Sequence, residues 1–501
     1  MPFRGVRYAP ARVGELANVT SPPYDVIGPG TLEQLRAASP YNIVRLILPE
    51  PERDPAGGSS GIPRGDARAV GQLAAARLRD WLDDGVLAVD PAPALYVYEQ
   101  RGPGQLQRGL IGLVQLGTDA IHPHEDVMPG PVAGRRELMA AVRGNLEPIL
   151  LVYNGAAGAG GHGGTAGTGH AAFRAGADVS GASGADATPG ALDTPGASVS
   201  TTSRLVDFTA QQRTPLACTV TDDGVTHRLW ALNDPAEHAA IAADLAERTA
   251  LIADGHHRYA AYGELRTSMR GAGRDEGPWD YGLAFLVDAD EYPLRLGPIH
   301  RVIPHLNPTE AARLAARAFT VTELAGTGPG LGTADAVDTH GRPRVPGTGS
   351  PAGGGDQCVD RQQLADALRR LAEAGRDGTA FLLAGRDGYR LLSRPDLDEL
   401  ADAMPSGASP RWRALDASVM QELLLARLWS IKDNDRDVLI SHDAEEAVRL
   451  AIETGGTAVL CNPMRLAAVT DLAAHGERVP RKSTSFGPKP RTGLVLRTFD
   501  D

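Results

Sequence analysis

The segment Thr249-Ala-Leu-Ile-Ala-Asp-Gly-His-His-Arg-Tyr259 changes character at its midpoint. Residues 249–253 form a short apolar run, expected as a buried strand, and 258–270 carries helical periodicity. Only a few polar residues separate the two, and the helix is expected to start at about His257. Gly255 permits a tight turn and lets a ligand approach the backbone. Asp254 is placed to cap the helix, or to act as a metal ligand or base. Free N–H groups at a helix N-terminus attract anions, and His256, His257 and Arg258 bring donors to the same spot. Arg258 offers a bidentate fork to phosphate oxygens. An ordinary capped turn would need only the Asp-Gly pair. A run of ionisable residues directly after a buried strand therefore reads as a phosphate-handling loop.

Outward from this loop the chain alternates helical and extended patterns, which predicts a mixed α/β (α+β) architecture. The block 204–324 contains expected strands at 227–232 and 282–287 and helices at 235–246 and 308–319. The N-terminal block 1–154 contains expected strands at 41–48, 94–99, 109–115 and 148–153, the middle two as a hairpin, and helices at 70–84 and 135–143. The C-terminal block 358–501 contains expected helices at 361–374, 418–429 and 444–453, with strands at 379–384, 389–392, 458–461 and 493–497. Residues 155–203 and 325–357 are nearly all Gly, Ala, Ser, Thr, Asp and Pro. Such stretches cannot offset the entropy of ordering, so they are expected to be a disordered insertion and a disordered linker.

With 501 residues, 42% of them hydrophobic, the chain can build a sizeable core or two to three domains. No apolar run is long enough to span a membrane, and the N-terminus lacks the apolar stretch of a signal peptide. Cys218, Cys358 and Cys461 are too widely spaced for a disulfide framework or a CxxC zinc pattern. A cytoplasmic protein is expected. The net charge of −12 argues against general nucleic-acid binding, which needs a basic face. Of 50 basic side chains only Lys432, Lys482 and Lys489 are lysines. Where coding bias has turned nearly every cation into arginine, a surviving lysine marks a place that needs a compact ammonium on a flexible stem.

Two of those lysines share the segment Pro480-Arg-Lys-Ser-Thr-Ser-Phe-Gly-Pro-Lys489 with the hydroxyls of Ser483, Thr484 and Ser485. It looks like a phosphate clamp, although it lacks the upstream glycines of a Walker loop. Ser21-Pro-Pro-Tyr-Asp-Val-Ile27 is stiffened by its paired prolines and can hold Tyr24 and Asp25 toward a site. Ile121-His-Pro-His-Glu-Asp126 sets His122 and His124 on one side of an extended chain. Without a third ligand a polar turn is a better reading than zinc, whereas Mg²⁺ held by Glu125 or Asp126 with substrate phosphates asks for less. His300 and Arg301 are expected to join the same basic pocket.

The box Ile252-Ala-Asp-Gly-His-His-Arg-Tyr-Ala-Ala261 resembles the phosphate-binding box of the ParB/sulfiredoxin superfamily, which includes partition-protein nucleotidases, sulfiredoxin and free serine kinases. Over most of the ordered chain the boxes also resemble, in order, the family catalogued as domain of unknown function 1015. These are Pro-Pro-Tyr-Asp-Val-Ile, Pro-Tyr-Asn-Ile-Val-Arg (Pro40 to Arg45), His124-Glu125, Arg135, Asn145 with Pro148 and Ile149, the Asp254 box, His300-Arg301, and Lys-Ser-Thr-x-Phe-x-Pro-Lys. Two positions depart from that pattern. Gly134 and Val132 stand where the family usually has Asp and Lys.

The resemblance implies a ParB/sulfiredoxin-like core and a nucleotide-dependent phosphotransferase with Mg²⁺ and ATP or ADP, acting on a small hydroxylated metabolite such as free L-serine. Phosphoryl transfer is mostly positioning and charge stabilisation. In this reading the N–H groups at Gly255 to His257, with Arg258, Tyr259, His300, Arg301, Ser483, Thr484 and Lys489, hold the phosphates. Lys482 neutralises the transferring group, Asp254 or Glu125 holds the metal, and His256, His257 or Glu125 handles the proton. Tyr24, Asp25, His124, Arg135 and Asn145 line the substrate side. A nucleotide-binding switch that clamps a partner, in the manner of partition proteins with CTP, is the second reading. A nuclease is the third, and the acidic charge disfavours it. A homodimer is compatible with any of them.

Overall fold

The computed structural model describes residues 1–50, 67–155, 199–324, 359–434 and 436–500. The protein is mixed α/β, built around an eight-stranded sheet and a six-stranded sheet. In the larger sheet the strand order is Ile121–His122, Ala250–Asp254, Ile149–Tyr153, Tyr281–Asp288, Gln105–Gln115, Leu95–Gly102, Thr226–Leu232 and Ala217–Val220. All five residues of Ala250–Asp254 are buried, as are all five of Ile149–Tyr153, which is why both read as unbroken apolar runs. Helix His256–Gly271 packs Ala261, Tyr262 and Leu265 into the same core as Ile149, Leu151 and Ile252.

Strand pairing explains why distant residues meet. Ala250–Asp254 runs parallel to Ile121–His122, so both strands end on the same side, where His124–Glu125 and the loop after Asp254 emerge together. Ligands of open α/β sheets favour this carboxyl end. Glu125 then bridges Val479, which brings in the C-terminal segment, and Ser21 bridges Thr492, which brings in Tyr24–Val26.

The smaller sheet runs Thr320–Glu323, Gly388–Ser393, Ala380–Gly385, Thr457–Cys461, His300–Ile303 and Leu439–Ser441, antiparallel throughout. The strand at His300–Ile303 is not marked as one by its sequence pattern.

Three elements differ from expectation. Residues 41–48 hold a short helix, Val44–Ile47, where a strand is expected. The Asn42 amide donates to Asn18 O and its Oδ1 accepts from Val44 N, closing a turn that an extended chain could not make. The stretch 493–497 pairs as a strand only at Arg497–Thr498, because Gly493 sits at φ 98° and interrupts the extended path. Helix Val419–Leu428 winds with the wider π turn, as in the bond from Trp429 N to Leu424 O.

Residues 156–198 and 325–357, where disorder is expected, lie outside the described residues, and a helix begins at Thr201. The described edges of the first gap converge. Asp288 accepts from Gly155 N at 2.9 Å, Ser200 Oγ at 3.2 Å and Ser203 Oγ at 2.6 Å. Among the described residues no helix is long and apolar enough to cross a membrane.

Candidate functional site

The loop turns at Gly255, whose φ of 92° lies in the left-handed region. A Cβ there would stand 3.0 Å from Ile149 Cγ2 and 3.1 Å from Arg258 Nε. Gly255→Ala is therefore expected to cost about 1–3 kcal/mol of stability through backbone strain. An unchanged urea midpoint would show that the turn is soft. Helix His256–Gly271 starts without a side-chain cap, because Asp254 turns elsewhere. Its Oδ2 accepts from Arg258 Nη2 at 2.5 Å and its Oδ1 meets Lys489 Nζ at 2.6 Å. Arg258 is 2% exposed and gives Nη1 to Pro148 O at 2.6 Å. Both prongs of the expected phosphate fork are thus committed to the protein. Its Nε is buried without a hydrogen-bond partner among the described residues.

Lys489 also reaches Asp25 Oδ2 at 2.7 Å, so one ammonium ties the N-terminal segment to the loop. Burial opposes that charge, but Asp254 and Asp25 outweigh it and hold the ammonium above its ordinary value. Behind them lies Glu147, 4% exposed, which accepts from Tyr24 N at 3.1 Å. Burial raises its carboxyl, against the pull of Arg258 and Arg135. Arg135 stacks on the Tyr24 ring at 4.2 Å and donates to Ile47 O, so it braces the site from one layer back.

The histidines form a second group. His124 is fully buried, with Nε2 2.8 Å from Thr484 Oγ1 and Nδ1 3.3 Å from His256 Nε2. The two rings meet nearly edge to face, 4.5 Å between centroids. His257 Nε2 accepts from Met128 N at 3.1 Å. Glu125 Oε1 accepts from Lys482 N at 2.9 Å, and burial raises its carboxyl despite Lys482, Arg301 and Lys489. Lys482 holds a left-handed φ of 54°, and its ammonium makes no hydrogen bond or ion pair with the described residues.

The family described as "Protein of unknown function (DUF1015)" matches residues 1–160 and 194–418. The chain belongs to this family. The matched residues of this DUF1015 chain include the loop at 254–258 and stop before Lys482 and Lys489. No curated protein matches it. Among solved structures it is similar to a free serine kinase in complex with AMP (12% identity, 75% of this chain and 87% of that chain covered, TM-score 0.29). It is also similar to a conserved hypothetical protein from Pyrococcus furiosus (12%, 77% and 94%, TM-score 0.31). A third is SbnI with a C-terminal truncation from Staphylococcus aureus (9%, 77% and 87%, TM-score 0.32).

In this DUF1015 chain Tyr24, Asp25, His124, Glu125, Asp254, Gly255, His256, His257, Arg258, Lys482, Thr484 and Lys489 are drawn together by the contacts above. Five expected residues are turned to other work. His300, 2% exposed, accepts from Cys461 N, and Arg301 holds the carbonyls of Lys482 and Arg481 as a buried strut beneath the lysine loop. Ser483 Oγ closes onto Pro480 O, Asn145 receives Arg497, and Tyr259 lines an outer groove with Arg136 and Arg266. Two residues escaped the sequence reading. Glu147 has the signal of an acid wedged into an apolar stretch, which demands a cation. His442 is exposed yet feels Lys489, Lys482 and Asp25, and its sequence carries no such signal.

No three His, Cys, Asp or Glu side chains among the described residues are grouped to hold a metal ion. Asp254 has both oxygens engaged, whereas Glu125 Oε2 has no partner among the described residues. The donor set fits a cation that arrives with phosphates and meets one carboxylate, Glu125, and not a resident metal.

Burial is the largest cause pushing His124, His227 and His300 from 6.5 down to about 4. The unfolded chain then binds protons that the native state refuses. Their contribution to stability is present above pH 6.5 and is lost as pH falls toward 4. The raised carboxyls of Glu125 and Glu147 act in the opposite sense. His227→Gln is therefore expected to flatten the fall in unfolding free energy across that interval. An equally steep fall in the variant would refute the assignment.

Proposed function

We propose that this chain is a nucleotide-dependent phosphotransferase acting on a small hydroxylated metabolite, a free amino acid of the L-serine type being the favoured acceptor. One observation supports it above the others. An uncapped helix N-terminus, an ammonium at Lys482 with no partner among the described residues and the raised carboxyl of Glu125 share one patch, which Lys489 fastens to Asp25 and Asp254. The free N–H groups from Gly255 to His257 favour phosphate oxygens. Lys482 supplies mobile positive charge for the transferring group, and Glu125, a carboxylate made more basic by burial, suits the acceptor proton. Mg²⁺ carried by ATP or ADP would screen phosphate charge, and Glu125 Oε2 is the oxygen that would meet it.

Incubation of the folded chain with ATP or ADP, Mg²⁺ and a panel of hydroxylated amino and carboxylic acids, read by mass spectrometry, tests the reading. A phosphorylated acceptor is expected. Nucleotide binding with a change of oligomeric state and no phosphorylated acceptor would instead favour a nucleotide-gated switch.

A further inference from the structure

Thr484 belongs to the lysine loop, but its hydroxyl turns inward to a histidine. Oγ1 lies 2.8 Å from His124 Nε2, and the far nitrogen of that ring lies 3.3 Å from His256 Nε2. Three side chains from distant parts of the chain thus form one hydrogen-bonded line of hydroxyl, imidazole and imidazole. His124 is fully buried and cannot be rearranged by solvent, and Phe486 packs its edge at 5.3 Å. Thr484 itself is only partly buried. The preceding hydroxyl, Ser483, is buried and spent on Pro480 O.

The line has the parts of an activated nucleophile: a hydroxyl, a base bonded to it, and a third group that orients the base. With its proton on Nδ1, toward His256, the His124 ring accepts the threonine O–H at Nε2. The far end of the line is the first residue of helix His256–Gly271, where an anion is favoured. Lys482 and Lys489 flank the threonine on its own loop. The inference rests on the phosphotransferase reading given above.

We propose that Thr484 is itself phosphorylated, taking a phosphoryl group from a nucleoside triphosphate at this site. The bond from Thr484 Oγ1 to the terminal phosphorus forms as the bond from that phosphorus to the bridging oxygen breaks. The nucleoside diphosphate leaves with the electron pair, and the hydroxyl proton passes to His124 Nε2. In a second step the acceptor hydroxyl gives its proton to Glu125 and takes the phosphoryl group. The proton on His124 returns to Oγ1, and Glu125 releases its own to water.

The test uses the full chain with ATP labelled at the terminal phosphate and Mg²⁺, without acceptor, followed by intact-mass measurement and peptide mapping. One phosphoryl group on Thr484 is expected, kept in Thr484→Ser, absent in Thr484→Val and formed on the order of 10²-fold more slowly in His124→Gln. Mapping the unaltered chain decides the matter even where a variant fails to fold. Label on another residue overturns the proposal. So does full acceptor phosphorylation with no label on Thr484, which leaves the phosphotransferase reading intact. Labelled Thr484 with no acceptor turned over supports the proposal and sinks the acceptor reading. Label on neither sinks both.

Discussion

Arg258→Met lowers the unfolding free energy by about 3–5 kcal/mol, the range expected when one member of a buried ion pair is removed. The expectation follows from where the guanidinium sits. It is 2% exposed, bonded to Asp254 Oδ2 and to Pro148 O, and it faces Glu147, a second buried acid. Its loss leaves Asp254 Oδ2 and the Pro148 carbonyl without their donor in a place water barely reaches, with Lys489 still on Asp254 Oδ1. Charge, not volume, carries the cost, so Asp254→Asn in the same chain should return part of the stability. A double-mutant cycle is expected to show a coupling of roughly 0.5–3 kcal/mol. Denaturant unfolding reads both quantities. A loss below about 1 kcal/mol, the worth of an exposed pair, would mean that Arg258 is less confined than its contacts indicate.

Lys482→Met is expected to do the reverse. Its ammonium makes no hydrogen bond or ion pair with the described residues, so stability should hardly change. Phosphoryl transfer should fall roughly 10²–10³-fold, the loss typical when one charge-stabilising donor is withdrawn from a developing anion. The backbone of Lys482 keeps its bond to Glu125 and its hold by Arg301, so the loop should stay in place. Turnover and unfolding measured on the same preparation separate the two effects. Unchanged turnover, or a loss of turnover that merely tracks unfolding, would remove Lys482 from the chemistry. Lys482 and Lys489 thus divide the work, the first with a charge that no described residue claims and the second as a tie between two carboxylates.

Much of this arrangement was legible in the residues. The apolar run before Asp254 could only be buried, Gly255 could take the positive φ, and the polar stretch after it had to open a helix. The hairpin of Leu95–Gly102 and Gln105–Gln115 follows from strands flanking a Gly-containing turn. What escaped depends on long-range geometry. The apolar run at 41–48 suits a buried helix as well as a strand, and only the Asn42 side chain decides between them. Arg258 bears the sequence signature of a phosphate fork, yet nothing local announces that Pro148 O and Asp254 will claim it. His300 and Arg301 are adjacent to each other and chemically resemble the other boxes, but strand pairing draws them into the second sheet. The tie from Lys489 to Asp25 spans nearly the whole chain, and no local pattern can reveal it.

Asp288 gathers Gly155 N, Ser200 Oγ and Ser203 Oγ at one carboxylate, so the chain leaves the large sheet at 155 and rejoins it where it departed. Whatever is spliced between those residues must begin and end at the same hinge pin. Closing a longer excursion costs only slowly more, about 0.6 kcal/mol per doubling of its length. The family match skips residues 161–193, inside this interval. Lengthening or trimming the chain here is therefore expected to leave the register of the strands that lead to Asp254 and His124 unchanged.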